Sequence, residues 1–135
     1  MLITVLKSKI HLASITDTQL HYQGSIGIGK ELMEASGLIA GEKVAVLNFD
    51  SGSRFETYVI EGEKGEISLR GPAARLGKIG EKVIILAYGH LDQNEAKKFK
   101  ANIVLVNEKN EAIKAATSTR KQEPTSVSGS GKNPR

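Results

Sequence analysis

Lys82-Val83-Ile84-Ile85-Leu86-Ala87-Tyr88 is the stretch that decides the fold class. It is apolar from Val83 to Ala87 without a break, the pattern of a strand buried on both faces. Upstream, Lys43-Val44-Ala45-Val46-Leu47-Asn48-Phe49 reads as a second strand, closed by the turn residues Asp50-Ser51-Gly52. Residues 54–60 then alternate polar and apolar positions, so the two segments are predicted to pair as a hairpin. Gly62 and Gly65 bracket another turn before a strand at 66–69. Residues 2–9 and 102–107 carry the same strand character. Helices are few and short. One is predicted at Lys30–Ser36, ended by Gly37 as its C′ residue, and Asp92-Gln93-Asn94-Glu95 has the form of a capping box opening another. Many short strands separated by turns predict a mainly β protein, a small barrel with a few short helices. There is no internal repeat.

The 135 residues suit one compact domain and a tail. The domain is expected over residues 1–114, and residues 115–135 are predicted to be a disordered basic tail. Val127 is the only large apolar residue there, too little to offset the entropy of ordering. The net charge of +4 belongs to the end of the chain. Beyond residue 113, Lys114, Arg120, Lys121, Lys132 and Arg135 face a single acid, Glu123, so residues 1–113 balance. A neutral body with three Phe, three Tyr and no Trp is a poor base-stacking surface, and no nucleic-acid partner is expected. The absence of cysteine excludes disulfides, thiolate nucleophiles and thiolate metal sites. His11, His21 and His90 lack metal-ligand spacing, so no metal is expected, and His11 and His21 read as packing or hydrogen-bonding residues. No apolar run reaches the length of a membrane span, and the first residues lack a signal-peptide pattern. A cytoplasmic protein without a membrane partner is the expectation.

Gly24-Ser25-Ile26-Gly27-Ile28-Gly29-Lys30 nearly matches a phosphate-binding loop, but the next residue is Glu31. A carboxylate there would repel phosphate where a hydroxyl should hold magnesium. Strands and helices also fail to alternate as a parallel sheet requires. Taken alone, Gly24-Ser25 reads as a turn dipeptide.

Its context gives it another meaning. The segment Leu20-His21-Tyr22-Gln23-Gly24-Ser25-Ile26 closely resembles the processing site of aspartate 1-decarboxylases, the pyruvoyl-dependent carboxy-lyases that make β-alanine. The resemblance runs over about residues 1–113 and includes Lys7-Ser8-Lys9-Ile10-His11, Arg54-Phe55-Glu56-Thr57-Tyr58 and Gly71-Pro72-Ala73-Ala74-Arg75 in order. It implies a double-psi β-barrel assembled as a homotetramer, and a proenzyme that cuts itself between Gly24 and Ser25. The Ser25 hydroxyl would attack the Gly24 carbonyl and convert the amide into an ester. β-Elimination then releases the Gly24 carboxylate and leaves dehydroalanine, and water converts this to a pyruvoyl group and ammonia. Gly24 suits the step because it lacks Cβ and accepts unusual backbone angles. The pyruvoyl ketone, the expected cofactor, is an electron sink for decarboxylating L-aspartate through a Schiff base.

The same resemblance implies the remaining roles. Ser25 and Tyr58 are the catalytic residues, with Tyr58 as proton donor, a role that suits a neutral phenol. Lys9 and Arg54 contact the substrate carboxylates, Thr57 assists the acyl shift and touches substrate, and Gly71, Pro72 and Ala73 bind substrate through their backbone. Thr57 and Tyr58 are neighbours, and adjacent strand residues point to opposite faces. One site can use both only if the strand bulges or if subunits share the site, and the tetramer favours sharing. The chain departs from the common pattern Asn-Gly-Ala-Ala-Ala, having Arg70-Gly71-Pro72-Ala73-Ala74. Arg70 replaces an amide that, in the family, helps order the site, and offers a further carboxylate contact, while Pro72 removes a backbone donor. The implied activity feeds pantothenate synthesis, and some relatives need a maturation factor. The other readings are a degenerate member that does not cleave, and a non-enzymatic β-barrel module using its basic tail on nucleic acid.

Overall fold

The computed structural model describes residues 1–118. Its strands are β1 (Leu2–Ser14), β2 (Asp17–Gln19), β3 (Ser25–Gly29), β4 (Lys43–Asn48), β5 (Arg54–Gly62), β6 (Ile67–Arg70), β7 (Lys82–Asp92), β8 (Ala101–Val106) and β9 (Ala112–Ser118). Helices α1 (Lys30–Ser36) and α2 (Gln93–Lys98) and a 3-10 turn (Gly71–Leu76) complete it. The strands form one sheet in the order β2-β6-β3-β5-β4-β7-β1-β8-β9. The pairs β1–β8, β2–β6 and β3–β5 are parallel and the rest antiparallel. Leu69 of β6 and Val104 of β8, near opposite ends of that order, share one buried cluster with Ile10, Ile26, Val46, Val59 and Ile85. The sheet therefore curls around a single core, as expected of a small, mainly β barrel.

The deciding stretch is β7, paired with β1 and β4. Val83, Ile85 and Ala87 are no more than 1% exposed, whereas Ile84 and Leu86 are half-buried and Tyr88 is 48% exposed. The expectation of burial on both faces is corrected on this point. Both neighbours of β7 are antiparallel, and an antiparallel sheet keeps one face on the core and leaves the other open.

Helix α1 has the predicted bounds. Gly37 follows it at φ 78°, and its N–H bonds Met33 O at 2.8 Å, closing the last turn. Asp92 precedes α2 as expected, but its side chain makes no capping hydrogen bond. β1 runs on to Ser14 through two register shifts, between Leu6 and Ser8 and between Ile10 and Ala13, with Leu12 at φ 65°. Lys9 lies between these bulges, which bend and twist the strand locally. At the other end, β9 continues through Ser118, past the boundary expected at residue 115. The remainder of the expected tail, 119–135, lies outside the described residues.

Buried Asn48 ties the hairpin turn to the segment after the 3-10 turn. Its Oδ1 accepts from Asp50 N at 2.9 Å and Ser51 N at 3.1 Å. Its Nδ2 donates to Leu76 O at 3.0 Å and Glu81 Oε1 at 2.9 Å. The 71–76 turn is thereby anchored at its far end.

Ile85 is 1% exposed at the centre of the core. Ile85→Ala is expected to lower stability in urea unfolding by about 2–5 kcal/mol. A loss well under ~1 kcal/mol would contradict the core as described.

Candidate active site

Ser25 opens β3, which lies between two strands. On one edge Ser25 faces Arg70, the last residue of antiparallel β6. On the other edge Ile26 faces Val59 of parallel β5, which brings Tyr58 next to Ser25. These residues meet in a cavity of about 190 Å³ lined by Tyr22, Gln23, Ser25, Tyr58, Ile60 and Arg70. Clefts for drug-sized ligands begin at roughly 300 Å³, so this one suits a smaller molecule. Ser25 is 3% exposed, and its hydroxyl donates only a long hydrogen bond to Gln23 O at 3.4 Å.

The strand β3 explains the glycines that imitate a phosphate loop. Ile26 and Ile28 are fully buried, while Gly27 and Gly29 face the other way. A Cβ on Gly27 would run into Ser68 Oγ and lie 2.8 Å from Glu66 Oε2. One on Gly29 would lie 2.8 Å from Glu63 O. The glycines make room for polar groups of β6 and the turn before it to cross the strand. Ser25, read alone as part of a turn, is thus the first residue of a strand.

Gly71 sits at φ +69°, where a side chain is disfavoured. A Cβ there would lie 2.6 Å from Tyr22 O, 2.7 Å from Gly24 N and 2.8 Å from Gly24 Cα. The 71–76 turn therefore packs backbone to backbone on the segment containing the Gly24–Ser25 bond. On Gly24, a Cβ would be 3.4 Å from Pro72 Cδ. Pro72 falls in the first turn of the 3-10 helix, where an N–H has no partner within the helix. Its missing donor costs the turn nothing. Ala73 is buried in the core.

Arg70 is held on several sides. Its Nη2 pairs with Glu66 Oε2 at 3.0 Å, its Nε donates to Ser68 Oγ at 3.3 Å, and the guanidinium lies 5.2 Å from the centre of the Tyr22 ring. Glu66 also accepts from Ser68 Oγ at 2.6 Å and from Glu63 N at 2.8 Å. Burial alone would raise the Glu66 pKa. The hydrogen bonds from Ser68, Glu63 N–H and Arg70, with the Arg70 charge, outweigh it and hold the carboxyl below its usual range.

Of the residues expected at the site, Ser25 and Tyr58 line this cavity, and Lys9, Arg54, Thr57, Gly71, Pro72 and Ala73 do not. Arg54 and Tyr58 share the outer face of β5, about 13 Å apart at strand spacing, while Thr57 lies on the face of buried Val59. The β4–β5 pairing runs from Lys43↔Tyr58 to Leu47↔Arg54 without a register shift, so no bulge brings Thr57 round. The β3 pairing begins at Val59, which leaves that edge of residues 54–58 without a strand partner among the described residues. His21 is exposed and His11 half-buried.

Tyr22, Gln23, Ile60, Glu66 and Ser68 were not singled out from the sequence. A signal for some of them was present: Glu66, Ser68 and Arg70 alternate with Ile67 and Leu69, which places the polar set on one strand face. No group of three or more His, Asp or Glu suited to a metal occurs among the described residues.

Gly71→Ala should cost at least about 1 kcal/mol in urea unfolding from backbone strain alone, before any clash. Unchanged stability would contradict the close approach. The sign of the Glu66 effect also follows. A carboxyl with a lowered folded-state pKa stabilises above its unfolded pKa, and this is lost as pH falls through the folded value. Wild type should therefore exceed Glu66→Gln in stability most near neutral pH, with the gap closing in acid. A gap that widens on acidification in urea titrations would refute the assignment.

A family model described as aspartate decarboxylase matches residues 1–113. A protein named aspartate 1-decarboxylase from Campylobacter concisus is 54% identical over 114 residues, 84% of this chain and 99% of the relative. Proteins of the same name from Caldicellulosiruptor saccharolyticus and Carboxydothermus hydrogenoformans are 53% and 48% identical over 116 residues, each covering 84% of this chain and 91% of the relative. With a mainly β fold, a buried serine after a glycine and a match across most of its length, the chain belongs to the aspartate decarboxylase family.

Proposed function

We propose that this chain is a self-processing enzyme that decarboxylates L-aspartate to β-alanine and carbon dioxide for pantothenate synthesis, using a pyruvoyl group derived from Ser25. The observation that carries the reading is the meeting of Ser25 and Tyr58, from separate family motifs, in one small cavity. The residues fit the group. Ser25 carries a hydroxyl on Cβ, is buried, and follows a glycine packed against the backbone of Gly71. Once formed, the pyruvoyl group supplies the electron sink that decarboxylation of an α-amino acid requires.

The chain's own residues do the rest. The Tyr58 hydroxyl, at the cavity wall, delivers the proton that replaces the lost carboxyl group. Gly71, Pro72 and Ala73, which the resemblance assigns to substrate, act from behind the cavity wall: Gly71 lets their turn press on the backbone of Tyr22 and Gly24, next to the bond that is cut. Lys9 and Arg54 hold carboxylates, and Thr57 assists cleavage. Since these three lie away from the cavity of their own chain, the complete site is shared between subunits of a homotetramer. The regular β4–β5 register and the unpaired edge of residues 54–58 favour that arrangement. The expected location is the cytoplasm, and no helix among the described residues is long and apolar enough to cross a membrane.

Intact-protein mass spectrometry under denaturing conditions tests the reading. The 14.5 kDa chain should give way to two polypeptides, the larger one blocked at its N-terminus by pyruvoyl. Ser25→Ala should remain one chain and make no β-alanine. Aspartate turnover by that variant would place the cofactor elsewhere. An intact wild-type chain without turnover, even after ageing and mild heating, would end the proposal.

A further inference from the structure

We propose that Arg70 is a substrate-binding residue of the Ser25 cavity, a fixed guanidinium that takes the side-chain carboxylate of the amino acid, with Glu66 and Ser68 as its positioning residues. The proposal deepens the decarboxylase reading and rests on it for the identity of the substrate. Among the residues lining the cavity, Arg70 alone carries a positive charge. It stands directly across from Ser25 in the β3–β6 pairing. Its side chain is not a free surface arm. Glu66, Ser68 and the Tyr22 ring hold it from three directions.

The pattern of contacts leaves room for a ligand. Nε and one N–H of Nη2 are used internally, and Nη1 remains for a carboxylate. Glu66 is itself occupied on both oxygens, by Glu63 N–H on one and by Ser68 and Arg70 on the other. It serves as an internal anchor and does not compete with a ligand for the remaining donors. The choice of carboxylate follows from the reaction. A cation on the α-carboxylate would stabilise the group that must leave as neutral carbon dioxide and so oppose the step, which directs Arg70 to the side-chain carboxylate together with Lys9 and Arg54 of the shared site. A cation on the side-chain carboxylate is present equally before and after it, and fixes which carboxylate remains.

The test uses the cleaved wild-type enzyme beside Arg70→Lys and Glu66→Gln, with cleavage checked by mass. Arg70→Lys keeps the charge and loses the fork. It should raise KM for aspartate about tenfold and leave kcat within about threefold. Glu66→Gln should move KM the same way by a smaller factor. Succinate, a dicarboxylate without an amine, should bind wild type by calorimetry and bind Arg70→Lys about tenfold more weakly. Unchanged KM and succinate affinity in Arg70→Lys would overturn the proposal. So would a fall in kcat at constant KM, or failure of Arg70→Lys to cleave in a folded state, since each assigns Arg70 to another step. Arg70-dependent succinate binding in a wild-type chain that turns over no aspartate would sink the decarboxylase reading and leave the anion site standing. Turnover indifferent to Arg70 would sink this inference alone.

Discussion

Strand β3 is gripped along both edges, by parallel β5 and by antiparallel β6, and the arrangement at Ser25 depends on that double pairing. Backbone hydrogen bonds on two sides fix the strand along its length. Ile26 and Ile28 fix which face turns inward, because a slip of one residue would move both isoleucines out of the core. Ser25 is thereby committed to the face of Tyr58 and Arg70. The segment just before it is fixed separately, by the backbone of Gly71 pressing on Tyr22 and Gly24. The Gly24–Ser25 bond, placed between a rigid strand and a tightly packed turn, has little freedom to choose its geometry.

The electrostatics follow the same economy. Glu66 just before β6 and Ser68 and Arg70 within it point to the face away from Ile67 and Leu69, and the glycines of β3 let Glu66 lie across that strand. A half-buried carboxylate is penalised by desolvation, but here each oxygen receives a hydrogen bond and a guanidinium stands beside it. The result is a polar network that orders the cavity wall instead of destabilising it. The Arg70-Gly71-Pro72 departure from the common family pattern is accommodated locally. Glu66 and Ser68 hold the arginine, and the proline takes a position that needs no N–H.

The alternation of a regular strand limits what one chain can bring to the site. Tyr58 faces the cavity, and Thr57 must then face the core side. Arg54 shares the face of Tyr58 but stands a full four residues along β5. The open edge beside residues 54–58 is where such a strand can meet another molecule. The shared site proposed above rests on this alternation and on that open edge.

Local patterns in the sequence determined much of this protein. Apolar runs and turn residues placed β4, β5, β6, β7 and β8, and Gly37 ended α1 where the helix does end. Of the residues that motif resemblance points to, Ser25 and Tyr58 meet in one cavity. Tertiary structure alone decided the rest, because long-range pairing is not written in any local window. β3 is rich in glycine and imitates a loop, and it becomes a strand only because β5 and β6 lie beside it. The half-open outer face of β7 depends on what its neighbours cover. The fixing of Arg70 as a wall of the cavity likewise depends on the fold, which places Glu66, Ser68 and Tyr22 around it.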